Sequence, residues 1–159
     1  QDDGTGRQLL WAAAMLHSCG QHINTGAYHK HSWYLIHHGE LLGYSDSEPL
    51  MVAAIARYHR RSLPKKRHEA WQLLEGREQR RLVASMALML RMAVALDRRP
   101  QPVVAGIQVR RDGNSGCSIR LEPMASDLDL SLERWSLAAC AGAVEEAVGV
   151  RLRVLEPSA

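Results

Sequence analysis

The stretch LHSCGQHINTGAYHKHSWYLIHHGELLGYSDSEPLMVAAIARYHRRSLPKKR, residues 16–67, decides how this chain is read. It holds seven of the chain's eight histidines and closes on a dense run of Arg and Lys. Imidazoles ligate divalent metals, and guanidinium and ammonium groups pair with phosphate oxygens, so the combination points to phosphate chemistry. His17 is followed by Ser18 rather than by the Asp of a metal-binding His-Asp pair. A serine hydroxyl is a far weaker partner for a hard cation than a carboxylate, so the segment is better fitted to hold a polyanion than to cleave one.

Working outward, the spacing of apolar residues predicts a helix over 7–19 closed by Gly20, a polar loop over 20–26, and a helix over 28–38 stopped by Gly39. Ser45, Asp46 or Ser47 can cap a third helix that tolerates Pro49 in its first turn and runs to about Arg61, with Pro64 forcing its end. A short helix over 67–74 and a long one over 77–97 follow. The long helix carries Leu82, Val83, Met86, Met89, Leu90, Ala93 and Leu96 at helical spacing and reads as the central buried element. At Arg99-Pro100-Gln101-Pro102 the pattern changes. Residues 103–110 and 117–122 suit a hairpin around the Gly113-Asn114-Ser115-Gly116 turn, a helix capped by Asp129 or Ser131 runs to about Val148, and 151–155 suits a last strand. The expected fold is mainly α with a small α+β lobe: a helical domain over 1–99 and a ββαβ lobe over 100–159.

The 159 residues, 46% hydrophobic and 23% charged, fit an ordinary globular chain of one domain or one with a small appendage. There is no Phe. The three cysteines, Cys19, Cys117 and Cys140, are too scattered for a disulfide framework, and a reduced, cytoplasmic setting is expected. The first residues, QDDGTGRQ, lack the apolar run of a signal peptide, and without an initiator Met the chain is expected to be a piece of a longer protein. The apolar run 82–96 is short for a membrane span and carries Arg91, so no membrane partner is expected. A net charge of +3 hides an asymmetry. Residues 57–81 hold nine Arg or Lys against three Glu, whereas 112–159 hold eight acids against four Arg. A local anionic partner fits this better than a uniformly basic surface.

The segments AAAMLHSCG (12–20), YHKHSWYLI (28–36), ELLGYSDSE (40–48), ARYHRRSLPKK (56–66), VALDRR (94–99) and LERW (132–135) together resemble the C-terminal region of the exopolyphosphatase and guanosine pentaphosphate phosphohydrolase (Ppx/GppA) family. The resemblance covers nearly the whole chain. It implies an HD-like helical bundle followed by the ββαβ subdomain. It also implies that the catalytic carboxylates, the Gly-rich phosphate loops and the Mg²⁺ site belong to N-terminal actin-like lobes of the same protein, where water attacks the terminal phosphoanhydride. No such loop is visible in this sequence, so the segment alone is expected to be inactive. By the same resemblance His17, Ser18, His31, His59 and Asp97 fall where HD enzymes hold their metals, a degenerate set expected to be empty, with no cofactor in this segment.

His59, Arg60 and Arg61 end one helix, and Lys65, Lys66 and Arg67 open the next across Pro64, so two basic clusters flank one short loop. Arg forks grip phosphate oxygens in pairs, and Lys adds point charge. These six residues are the expected polyphosphate-binding rim. His22, His37 and His68 read as ordinary histidines, and the absence of an H-x-x-x-H pair in the 28–38 helix argues against a helix-borne zinc site. Tyr28, Trp33, Tyr34, Tyr44 and Tyr58 read chiefly as core or subunit-contact residues. The expected role is binding of inorganic polyphosphate or guanosine pentaphosphate and support of a homodimer. The alternatives are an autonomous metal-dependent HD-type phosphohydrolase and a guanosine-nucleotide or nucleic-acid binding module.

Overall fold

A computed structural model describes residues 4–156. Helices α1 (Thr5–Leu16), α2 (Tyr28–His38), α3 (Glu48–Tyr58), α4 (Glu69–Gln72) and α5 (Gly76–Leu96) come first, followed by β1 (Val104–Asp112), β2 (Gly116–Pro123), α6 (Ser131–Ala138), α7 (Ala141–Val148) and β3 (Arg151–Val154). The fold is mainly α with a small α+β lobe, and it divides into two compact units between Leu90 and Arg91. None of the described helices is long and apolar enough to cross a membrane.

In the first unit α3 is enclosed: Met51, Val52, Ala53, Ala54, Ile55, Ala56 and Tyr58 are all buried. Five of these are small or β-branched, which lets α1 and α2 pack closely on the helix. Helix α1 stops at Leu16, short of the expected residue 19, and a 3₁₀ turn over Cys19–His22 replaces part of the expected loop. The cause is Ser32, fully buried on α2. Its hydroxyl donates to the His17 carbonyl at 2.7 Å and accepts from the Gly20 amide at 3.0 Å, taking over a carbonyl and an amide that the end of a helix leaves unpaired. Only glycine fits at position 20, because a Cβ there would lie 2.3 Å from both the Ser32 amide nitrogen and the Tyr28 carbonyl oxygen.

Helix α3 ends at Tyr58, three residues before the expected boundary. The buried ring of His59 donates from Nδ1 to the Ala56 carbonyl at 2.6 Å, and Arg61 then turns into the left-handed region at φ 66°. The side chain thus occupies a carbonyl that another helical turn would need. Helix α4 is a single turn, shorter than the expected 67–74. In α5, Val83, Ala87, Leu88 and Leu90 are buried, whereas Met89, expected in the core, is 46% exposed.

In the second unit β1 and β2 pair antiparallel and β3 adds parallel to β2, in the order β1-β2-β3. Ile119, Leu121, Leu130, Leu137 and Val103 form its core, with Leu152 and Val154 packed against them. The single helix expected up to Val148 is two. The Cys140 amide bonds to the Leu137 carbonyl three residues back, and the Cys140 carbonyl starts α7 by accepting from Val144. This tightening of the last turn of α6 separates the two helices. The segments VALDRR and LERW meet here. Arg99 Nε lies 2.9 Å from Oε1 of the fully buried Glu133, while Arg99 Nη2 donates to Glu133 Oε2 at 3.2 Å and to the Asp129 carbonyl at 3.0 Å.

Candidate functional site: a cationic cleft in the helical unit

A cleft of about 500 Å³ opens between α2, the end of α3 and the start of α4. Helix α2 supplies Lys30, His31, Trp33 and Tyr34; α3 supplies Arg57; and the connection into α4 supplies Arg67, His68 and Glu69. Three permanent cations and two histidines therefore face a single carboxylate. Two buried donors, Arg57 Nη1 and Trp33 Nε1, have no hydrogen-bond partner among the described residues. Unpaired buried donors are costly, and an anion that accepts from them removes the cost.

The electrostatics agree. Burial pushes the Arg57 guanidinium down from its ordinary value. Burial also lowers His68, with the positive charges of Arg57, Arg67, Lys65 and Lys30 adding to the effect. His29, buried behind the cleft, is lowered to about 4, first by burial and then by Arg57, Arg60, His59 and Lys30. Burial raises Tyr58 to about 12, against the opposing pull of Arg57. The His68 ring stacks on Tyr58 at 5.7 Å, and Trp71 meets Tyr58 edge-on at 6.1 Å, an aromatic floor that holds the α3–α4 connection in place. Above the cleft Trp33 stacks on His37 at 5.1 Å, and Tyr34 packs on His38 at 4.5 Å.

Of the six expected rim residues, Arg61, Lys65, Lys66 and Arg67 are exposed, and Arg67 lines the cleft. Arg60 is half-buried, with its guanidinium carbon 4.7 Å from the centre of the Tyr28 ring. His59 is not at the surface: it is 1% exposed, and its Nε2 lies 3.1 Å from the Tyr28 hydroxyl. Because a carbonyl only accepts, Nδ1 carries the proton toward Ala56, and the Tyr28 hydroxyl donates to Nε2 in the neutral ring. His59 thus lies beneath the surface run of Arg and Lys, between Ala56 and Tyr28.

Within the helical unit, His17, His31 and His59 of the expected metal set do not gather into one group. His17 meets His59 edge-on at 5.0 Å, but its Nδ1 donates to the Ala14 carbonyl at 2.7 Å, and the Tyr28 hydroxyl already takes up His59 Nε2. Ser18 flanks the 3₁₀ turn, His31 lines the cleft, and Asp97 follows α5 in the second unit. Among the described residues no three His, Cys, Asp or Glu side chains are grouped to hold a metal ion. These residues therefore do not fit a divalent centre. Lys30 and Arg57 were not singled out from the sequence as ligands. The available signal was that Lys30 precedes Trp33 and Tyr34 by three and four residues, on one helical face.

A family description, Ppx/GppA phosphatase, domain III, matches residues 1–139. Two curated relatives are each named guanosine-5'-triphosphate,3'-diphosphate pyrophosphatase. The protein of Pseudoalteromonas translucida (strain TAC 125) is 43% identical over 60 residues, 38% of this chain and 12% of the relative. That of Pseudoalteromonas atlantica (strain T6c / ATCC BAA-1087) is 30% identical over 94 residues, 59% of this chain and 18% of the relative. The chain thus spans less than one fifth of the length of these relatives. The match of the domain description to most of its residues establishes that this chain belongs to the Ppx/GppA phosphatase family, as a domain III.

Proposed function

We propose that this domain grips a phosphoanhydride chain, inorganic polyphosphate or guanosine pentaphosphate, for a hydrolase whose Mg²⁺ and catalytic carboxylates belong to actin-like lobes of the same protein. The observation that carries this reading is the cleft: Lys30, Arg57, Arg67 and His68 face one carboxylate, with two buried donors awaiting an acceptor. Arg60, Arg61, Lys65 and Lys66 extend the positive charge outward and would hold the distal chain while cleavage proceeds at its end. The electrostatic grip tolerates sliding because it recognises charge rather than sequence, the same physics by which proteins hold nucleic-acid backbones.

The Trp33 and Tyr34 rings at the cleft favour a second ligand within the same reading, a guanosine nucleotide whose base stacks there while its phosphates meet the cations. The relatives' names concern a guanosine compound of this type. Self-association belongs to the proposal too. Trp11 and Met15, one turn apart on α1, are 64% and 65% exposed and offer an apolar surface to a second copy.

The test is a polyphosphate titration of the purified domain against a variant combining Arg60→Ala, Arg61→Ala, Lys65→Ala and Lys66→Ala. A loss of tenfold or more in affinity is expected, and unchanged affinity removes the assignment. Competition by guanosine pentaphosphate that weakens in Trp33→Ala would select the nucleotide.

A further inference from the structure

The three-stranded sheet of the second unit has two unlike faces. The side chains of Ile119, Leu121, Leu152 and Val154 point into the core beneath α6 and α7. Alternate residues point the other way. The register places Arg110 opposite Ser118, Gln108 opposite Arg120, Ser118 opposite Arg153, and Gly116 opposite Arg151. Arg110, Arg120, Arg151 and Arg153, drawn from all three strands, therefore share the face that no core residue occupies. Arg110 is 85% exposed at its side chain, Arg151 and Arg153 are exposed, and Arg120 is half-buried.

Two carboxylates share this face, and neutral side chains engage both. The buried Ser118 hydroxyl bonds to Asp112 Oδ2, and Gln108 Nε2 donates to Glu122 Oε1 at 2.5 Å. Arg110 approaches Asp112 only to 4.0 Å, and among the described residues no ion pair involves Arg151 or Arg153. A chain region that is acidic in composition thus gathers all but one of its arginines beyond residue 111 onto a single positive surface. The exception is Arg134, which approaches Asp129 and Glu156.

We infer that this face binds the phosphodiester backbone of a single-stranded nucleic acid, without regard to sequence. Every cation on it is an arginine, whose fork matches phosphate oxygens bidentately. Alternate residues of one strand stand about 6.6 Å apart, and neighbouring strands about 4.8 Å apart. Guanidiniums so placed fit phosphates separated by sugars better than the closely spaced phosphates of polyphosphate, which share bridging oxygens. No aromatic side chain lies on the face, so base stacking and sequence preference are not expected. The surface is distinct from the cleft of the helical unit and independent of that reading.

The test uses the whole chain and a fluorescently labelled oligouridylate, with binding followed by anisotropy at several salt concentrations. The Arg110→Gln, Arg153→Gln double variant changes only exposed side chains and should retain the far-UV circular dichroism of the parent. It should bind about tenfold or more weakly, with the slope of log affinity on log salt reduced by about 1.4, because two phosphate contacts are lost. The Lys65→Ala, Lys66→Ala variant should lose less oligonucleotide affinity than the double arginine variant. Binding and slope unchanged in the double arginine variant would overturn the inference. So would loss of the oligonucleotide in the lysine variant alone, or an arginine variant that loses polyphosphate and keeps RNA.

Discussion

Replacing His59 should loosen the cationic rim from within. Its ring is 1% exposed and bridges two elements, donating to the Ala56 carbonyl at 2.6 Å and accepting from the Tyr28 hydroxyl at 3.1 Å. Removing the ring in His59→Ala forfeits two hydrogen bonds, each worth about 1 kcal/mol net, and strands the Tyr28 hydroxyl. The void left by the ring adds roughly 1–2 kcal/mol, so the expected destabilisation is about 3–4 kcal/mol. Tyr28→Phe removes one hydroxyl and leaves only Nε2 without its donor, for about 1 kcal/mol. Urea unfolding of the parent, both single variants and the double variant closes a thermodynamic cycle. The bridge predicts that the double variant costs clearly less than the sum of the singles, because either change alone breaks the same bond. Strict additivity, or a His59→Ala cost below about 1 kcal/mol, would refute the placement of this ring. Polyphosphate affinity should fall with His59→Ala as well, since Arg60 is held over the Tyr28 ring next to it.

Three further outcomes are expected. Arg99→Ala leaves the fully buried Glu133 carboxylate without its cation and should cost about 3 kcal/mol in denaturant unfolding, while Arg99→Met combined with Glu133→Leu should cost much less. Gly20→Ala should destabilise by about 3 kcal/mol, because its Cβ meets backbone atoms of α2 and not a flexible side chain, and Ser32→Ala should not rescue it. His29 is held neutral in the folded chain, with its value lowered to about 4, whereas the unfolded chain titrates near 6.5. The unfolded state therefore binds the proton first, and stability should fall by on the order of 2 kcal/mol as pH drops from 6.5 to 4. His29→Gln should flatten that decline in a pH series of thermal melts, and a bound anion, by offsetting the charge of Arg57 and Arg60 and so raising the folded value, should make the decline smaller and end it at a higher pH.

Helix α2 was legible to the residue because Gly39 follows its last apolar turn and its stripe has one period throughout. The hairpin was equally plain from the Gly113–Gly116 cluster, where Gly113 adopts φ 65°. What the sequence hid was decided by contacts between distant residues. Ser32 shortens α1 by taking the His17 carbonyl from fifteen residues away, and His59 ends α3 by capturing a carbonyl, and neither leaves a periodic mark. The rim was visible as a run of charge, but its composition was not. His59 reads as one more basic residue in the YHRR segment and proves to be its buried anchor. Two cations of the cleft, Lys30 and Arg57, stand 27 positions apart and line it together only when α2 packs on α3. Glu133 has no distinguishing mark within LERW, and only the fold gives it Arg99 as a partner.

The central claim is an electrostatic grip on a phosphate chain by the cleft and its rim. The most direct measurement is the affinity of the domain for inorganic polyphosphate across a salt series. Four or more cations in contact predict a slope of log affinity on log salt near −3, and the loss of Lys30 and Arg57 by substitution with Ala should reduce it by about 1.4. Binding that is independent of salt, or a slope unmoved when both cleft cations are removed, would contradict the account.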